Sequence, residues 1–404
     1  MEKKSSQQVY RTIMLIIITV LITALVTTIV IYNFVIKSGK IAIKSEDNSS
    51  LSGLEATLAN FRSVLEEKYM GEIDDEALIE GAIKGYVSAL GDPYTTYYTK
   101  EEMDELMEET TGNYVGIGIY MTLDLENNAI YVVKPMEGSP AEEAGIQAGD
   151  LITKVDGKQY SGEELDQASN AIKGEEGTTV KLEILRNGET QELEVERKKI
   201  VVSHIVEKKF DNIGYLKIED FDGGCAKEFQ EKYKELENQG IDRLIIDLRN
   251  NGGGVVDEAV DIADMLLDKD DTILITKDKK GNEEITKSEH DPTITMPVVV
   301  LTNEYSASAS EILVGALQDN ERATIVGTKT YGKGVIQEVD RLNDGSGLKI
   351  TIEEYYTPNR NEINKVGINP DEEIDLSDEV KEQGTYTDEE DNQLQKAIEV
   401  IKEK

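Results

Sequence analysis

Cysteine occurs once in this 404-residue chain, as Cys225, and histidine twice, as His204 and His290. A lone cysteine excludes an internal disulfide framework and a thiolate metal cluster. Two histidines leave little material for zinc chemistry or for a triad built on imidazole, so no metal and no cofactor is expected. Basic residues are scarce as well: 43 Lys and Arg stand against 81 Asp and Glu, a formal net charge of −38. Such a chain is a poor nucleic-acid binder, because affinity for phosphate backbones comes from cationic side chains displacing counterions. Internal repeats are lacking too. The length implies two or three domains at roughly 100–200 residues each.

What is present begins with one long apolar run. Thr12 to Ile36, between Arg11 and Lys37, carries no charge over 25 residues. As a helix it would reach about 37 Å, enough to cross a hydrocarbon layer of about 30 Å with some tilt. A cleaved signal peptide would have a shorter apolar region, roughly 7–15 residues, and a small-x-small site after it. Neither feature is present. Residues 12–36 are therefore expected to be an uncleaved transmembrane helix, after a cytoplasmic N-terminus (1–11) and before a polar linker (37–53). Lys3, Lys4 and Arg11 on one flank face Lys37, Lys40 and Lys44 on the other, which weakens the positive-inside signal. The ten residues before the uncharged stretch and its flanking arginine, against well over three hundred after it, give the orientation. The expectation is a single-pass cell-membrane protein with its soluble part outside the cytoplasm.

Past the linker, Leu54, Leu58, Phe61, Leu65 and Tyr69 recur at the spacing of one helical face. A second helix fits Asp75 to Leu90, with Leu78, Ile79, Ala82, Ile83 and Tyr86 inward and Gly91 and Pro93 as its stop. A third, acidic helix fits 100–110, so 54–111 is read as a helical region. From Tyr114 the period becomes that of strands: YVGIGIYM, AIYVVKP, DLITKVDG, TVKLEILRNG and TQELEVER, separated by turn residues. A short helix at Ser139–Ala144 opens with Pro140 at its favoured first position. Residues 112–198 thus form a compact β-rich domain. Over 199–370, strands (IGYLKI, RLIIDL, PVVVLT, ATIVG) alternate with helices (224–238, 256–267, 308–319), which argues an α/β core. The tail, 371–404, starts with an acidic stretch read as a solvated connector and closes in a helix. The fold class is multidomain α+β.

Chemistry concentrates in residues 303–337, NEYSASASEILVGALQDNERATIVGTKTYGKGVIQ. A buried strand runs through three serines into a helix, where free N–H groups can stabilise an oxyanion. Ser308 and Glu311 also spell a capping box, so a nucleophile and a plain helix cap both fit. Gly327 to Lys333 nearly spells a phosphate-binding loop, but Gly334 stands where the magnesium-binding hydroxyl belongs and a strand follows instead of a helix. What remains is a lysine in glycine-rich surroundings, with Lys333, Val335 and Gln337 on one strand face. In a buried setting its amine becomes a base for a serine, and Gln337 can hold it; on the surface it is an ordinary lysine. Asp247-Leu-Arg-Asn-Asn-Gly-Gly-Gly254 ends another buried strand, as an amide donor loop or as a tight turn.

NEYSASASEI, GTKTYGKGVIQ and the preceding DLRNNGGG together closely resemble the carboxy-terminal processing (tail-specific) serine peptidases. GDPYTTYYT and GIGIYM upstream, and LKITIEEYYTPNRNEIN and GINPD downstream, match as well, so the resemblance covers nearly everything after the apolar run. It implies Ser308 as nucleophile, Lys333 as general base and Gln337 as the residue that orients the lysine. It implies oxyanion donors at the backbone N–H of Ala309 and of a triplet glycine, Gly254 favoured over Gly253. It makes 112–198 a PDZ module, a β-sandwich or barrel-like domain, with Tyr114, Val115, Gly116, Ile117, Gly118 and Ile119 as its carboxylate-binding loop and strand. Partners are then proteins or peptides with free C-termini, and whether the chain forms a homo-oligomer is left open. Some relatives carry a further peptidoglycan-binding module, for which the stretch after the core has no length. A non-enzymatic PDZ adaptor is the competing class. A trypsin-like PDZ protease is disfavoured, because neither VVSHIV nor KSEHDP is a recognisable catalytic context for His204 or His290.

Overall fold

The computed structural model describes residues 51–111, 113–124, 128–136, 138–383 and 386–404. The expected membrane span at 12–36 lies outside the described residues. Among those described, no helix is long and apolar enough to cross a membrane. The chain divides into two compact units, one ending at Ile79 and the other starting at Glu80.

In the first unit the helix Leu51–Lys68 starts three residues earlier than its apolar spacing suggests. Asp74 caps the next helix, Asp75–Ser88, of which only the first five residues belong to this unit, by accepting the N–H groups of Glu76 at 3.0 Å and Ala77 at 3.1 Å. The inward faces expected for these helices stay exposed: Phe61 is 51% and Ile79 61% accessible. Apolar spacing reveals a stripe, but it does not reveal whether anything covers that stripe.

In the second unit, the β-rich domain is an antiparallel sheet in the order Ile119–Asp124, Ala129–Pro135, Leu151–Val155, Thr179–Arg186, Glu189–Glu196. Val180, Leu182 and Ile184 point to one face and are fully buried, as a half-buried strand of period two requires. The short helix Pro140–Glu143 forms as expected, with Ser139 Oγ accepting the Glu142 N–H at 3.2 Å. The helix Leu165–Ile172 was not anticipated, although Leu165, Ala168 and Ile172 carry its buried stripe.

The core is a six-stranded sheet in the order Ile205–Phe210, Ile213–Ile218, Arg243–Asp247, Val298–Thr302, Ala323–Gly327, Glu372–Glu373. Only the first pair is antiparallel. Its central strands are buried on both sides, which is why they read as unbroken apolar runs. Leu244, Ile246, Val298 and Val300 pack toward the helices Cys225–Asn238, Val256–Leu266 and Ala309–Asp319. Ile245, Val299 and Leu301 pack on the other side against Leu394, Ala397 and Ile401 of the C-terminal helix Asn392–Lys402. The acidic connector before that helix is not simply solvated. Glu372–Glu373 adds the edge strand, and Asp371 accepts the Ile325 N–H at 2.8 Å.

A second, antiparallel sheet joins Thr96–Tyr98, Gly347–Tyr356, Thr272–Asp278 and Glu283–Lys287, with Val335–Arg341 pairing the long strand Gly347–Tyr356. It carries the segments around Tyr94 and Lys333 to one place. Cys225 is buried at the start of its helix, and burial, with nearby carboxylates, pushes its thiol far above the ordinary range.

Candidate active site

Strand Val298–Thr302 leads through Ser306 and Ser308 into the helix Ala309–Asp319, which holds Ser310, and the three serines have different environments. Ser306 Oγ donates to Leu248 O at 2.8 Å and accepts the Asn303 N–H at 3.0 Å. Ser310 Oγ donates to Asn251 O at 3.0 Å. Both flanking hydroxyls thus tie this segment to the loop after Asp247. Ser308, between them, has φ 58° and ψ −117°; it stands with Glu311 in the capping-box arrangement, but among the described residues no hydrogen bond of ordinary geometry holds its hydroxyl. A non-glycine residue at positive φ is held against a steric cost, and such strain clusters at functional sites.

The glycine triplet meets this serine directly. A Cβ on Gly253, at φ +103°, would lie 2.7 Å from Ser308 Cβ, and one on Gly254 would lie 2.6 Å from the Phe221 carbonyl carbon. Only glycine permits both approaches. The Gly253 N–H donates to Asn251 Oδ1 at 2.8 Å, whereas the N–H groups of Gly254 and Ala309 donate to no acceptor among the described residues. Two free amide donors therefore remain beside Ser308, one from each loop. One of them belongs to the glycine favoured from the sequence.

Glu311 was read from the sequence only as half of a capping box, and it does accept the Ser308 N–H, at 3.1 Å. Its fully buried carboxylate also accepts Thr330 Oγ1 at 2.6 Å, Gly332 N at 2.7 Å and Lys333 N at 2.8 Å. One carboxylate thereby joins the helix of Ser308 to the loop of Lys333. Burial raises its pKa and the four donors hold it back. Tyr355, 1% exposed, places its hydroxyl 2.9 Å from Ser308 O and 2.5 Å from Lys333 O, a second tie between the same two segments. Neither residue had a distinguishing signal in the sequence beyond its place inside a motif.

Lys333 is half-buried and shares a cavity of about 570 Å³ with Ser308, Gly254 and Gln337. Burial holds its pKa below the ordinary lysine value, the positive charge of Lys349 acts in the same direction, and Glu311 opposes both. Its ammonium stands 4.9 Å from the centre of the Tyr94 ring. No hydrogen bond joins Ser308 Oγ to Lys333 Nζ among the described residues. The expected strand face is also interrupted. Lys333 precedes the strand Val335–Arg341, and the register shifts between Ile336 and Gln337. The Gln337 amide donates to Val335 O at 3.3 Å and Thr351 Oγ1 at 3.4 Å, not to the lysine.

Of the expected peptide-binding residues, Tyr114, Val115 and Gly116 pair with Ile200, Lys199 and Lys198 in a two-stranded ladder. Ile117 is buried, its carbonyl accepting the Ala141 N–H at 2.9 Å. The N–H groups of Ile117 and Gly118 donate to nothing among the described residues. Ile119 opens an edge strand that pairs on one side only. The two histidines lie elsewhere: His204 pairs with Asp220 and His290 with Asp264.

Comparison with known sequences returns three profiles: peptidase family S41 over residues 212–374, a PDZ domain over 131–186, and the activating protease CtpB N-terminal domain over 32–102. A Staphylococcus haemolyticus protein named "Probable CtpA-like serine protease" is 42% identical over 301 residues, 74% of this chain and 60% of its own length. A Staphylococcus aureus protein of the same name is 38% identical over 351 residues, 86% of this chain and 69% of its own. The match thus spans less than two thirds of the first relative. Among solved structures, a photosystem II D1 C-terminal processing protease is 32% identical with a TM-score of 0.47, over 78% of this chain and 86% of that one.

Proposed function

We propose that this chain, which belongs to the CtpA-like serine proteases of peptidase family S41, is a membrane-anchored endopeptidase that cuts exported proteins near their C-termini. Residues 12–36 would anchor it, 112–198 would form the PDZ module and 199–370 the peptidase core, with the catalytic part outside the cytoplasm. The observation that carries the reading is the pair of free donors, Gly254 N–H and Ala309 N–H, beside a serine that shares its cavity with a lysine of lowered pKa.

In this reading Ser308 Oγ attacks the scissile carbonyl while the neutral Lys333 amine takes its proton. The carbonyl oxygen becomes an oxyanion and is held by the two amide donors. Collapse expels the amine of the C-terminal fragment, protonated by the Lys333 ammonium, and leaves an acyl ester on Ser308. Water attacks that ester and gives one proton to Lys333; collapse releases the second fragment as a carboxylic acid while the Lys333 ammonium returns the proton to Ser308 Oγ. The Oγ–Nζ bond that closes this relay is of the kind that tightens only when substrate fills the site. Gln337 would reach the lysine in that state. No metal or cofactor enters the scheme.

The PDZ module would admit the substrate. Ile119–Asp124 offers an open strand edge, and the free N–H groups of Ile117 and Gly118 suit a terminal carboxylate.

The test compares wild type with Ser308→Ala and Lys333→Arg on a peptide substrate and on a serine-directed active-site probe. Both variants should fold and be inactive, since arginine stays protonated in proteins. As a mere helix cap, Ser308→Ala would cost ~1 kcal/mol of stability and leave turnover intact. A wild-type protein that binds C-terminal peptides but takes no probe would be an adaptor instead.

A further inference from the structure

In a chain with nearly two acids for every base, several cations of this unit lie beside carboxylates. Lys84 pairs with Glu102, Lys154 with Glu183 and Lys173 with Glu108. Lys349 has no such partner. It is half-buried, and among the described residues its side chain makes no ion pair, hydrogen bond or ring contact. It lies in the middle of the second sheet, opposite Val339 on one neighbouring strand and Thr96 on the other. Residues directly opposite each other in an antiparallel ladder share a face, and so do residues two apart. Lys349, Val339, Thr351 and Gln337 therefore sit on one face, and Lys349, Val339 and Gln337 line the cavity that holds Ser308 and Lys333.

We propose that Lys349 is a positioning residue of the reaction, its unpaired ammonium on the cavity wall keeping the amine of Lys333 neutral and able to accept the Ser308 proton. The inference rests on the reading of Lys333 as the base. Two like charges confined in one cavity disfavour each other, so the charge of Lys349 favours the free amine of Lys333. The surroundings of Lys333 make such help necessary. Glu311, from the helix Ala309–Asp319, favours the ammonium, and so does the ring of Tyr94. Tyr355 meets it from the strand of Lys349 and is held neutral by burial, and Asp222 and Asp257 line the same cavity. Against these, burial and the charge of Lys349 favour the free amine. Of the two, only the Lys349 charge can be removed by a single substitution that leaves the shape of the site alone.

The experiment is the pH dependence of kcat/KM, which reports ionisations of the free enzyme. It is run on the full chain as wild type, Lys349→Gln, Lys349→Arg and Lys349→Glu, with Lys333→Arg as control. In Lys349→Gln the rising limb should move to higher pH, with a several-fold loss at neutral pH and the wild-type plateau regained at alkaline pH. Lys349→Arg should return the limb to its wild-type place, and Lys349→Glu should move it further. An unmoved limb in Lys349→Gln overturns the inference. So does a loss that is equal at every pH, which would make Lys349 a substrate contact or a packing residue, and so does an arginine variant that behaves like glutamine. Substantial hydrolysis by Lys333→Arg would instead remove the base assignment itself, and with it the group on which Lys349 acts.

Discussion

A carboxylate as deeply buried as that of Glu311 is tolerable only because donors surround it. Three of those donors are backbone N–H groups of the Ser308 and Lys333 segments, so solvating the charge and holding these two segments together are one arrangement. His204 shows a related economy away from the cavity. It is 3% exposed, with Nδ1 2.5 Å from Asp220 Oδ1. Burial alone would lower its pKa, but the carboxylate of Asp220, with Glu228 and Asp222 beyond it, raises the value above that of a free histidine. The folded state therefore binds the histidine proton more tightly than the unfolded chain does. That stabilisation is complete below the unfolded value of about 6.5 and is lost as pH rises through the raised folded value. Melting temperature should fall along this limb from mildly acidic to mildly alkaline pH, and His204→Asn should flatten it. Equal slopes for the two proteins would mean that the pair is neutral. The effect bears on the site, because Phe221, next to Asp220, donates its N–H to Gly253 O at 3.0 Å and accepts the Val255 N–H at 2.8 Å.

At the scale of elements, the C-terminal helix is tied to the glycine loop after Asp247 through one buried cation. Arg249, in the loop after strand Arg243–Asp247, donates to both carboxylate oxygens of Asp247. It also donates to Asp391 Oδ1 at 3.0 Å and Gln393 Oε1 at 3.1 Å. Asp391 caps the helix Asn392–Lys402 by accepting the Leu394 N–H, so a single carboxylate fastens the helix and neutralises the arginine. Removing one partner of a buried pair costs about 3–5 kcal/mol. Asp391→Ala should fall near the lower end, about 3 kcal/mol, because Asp247 remains. Chemical denaturation measures this, and a loss under ~1 kcal/mol would show that Arg249 is satisfied without the helix. Turnover should fall as well, since Arg249 lies five residues before Gly254 in the same loop.

For the molecule as a whole, the testable coupling is between terminus capture and catalysis. The full-length Ser308→Ala protein should bind a free-acid peptide at least about tenfold more tightly than the same peptide amidated, since hydrogen bonds to a charged acceptor contribute roughly 1.5–3 kcal/mol each. Equal affinities, read by fluorescence anisotropy, would exclude carboxylate capture by the Ile117–Gly118 amides.

The strands and helices around the site were legible in the sequence because each reads locally. RLIIDL and PVVVLT are apolar on both faces, as central parallel strands must be. The serine run before an apolar helix and the glycines after Asp247 announce a strand-to-helix junction and a close backbone approach. The sequence order of the motifs carried the resemblance to tail-specific peptidases. What it could not carry were contacts between segments far apart along the chain. Which of three serines keeps a free hydroxyl depends on Leu248 O and Asn251 O accepting the other two, some sixty residues away. Whether Gly253 or Gly254 keeps a free amide depends on where the Asn251 side chain turns. Glu311 looked like a cap because a capping box is local, while its bonds to Thr330, Gly332 and Lys333 need the lysine loop folded over the helix. The acidic tail looked solvated because composition records charge and not the buried arginine that receives it. Periodicity decides which side chains share a face. Only the packed structure decides what that face meets.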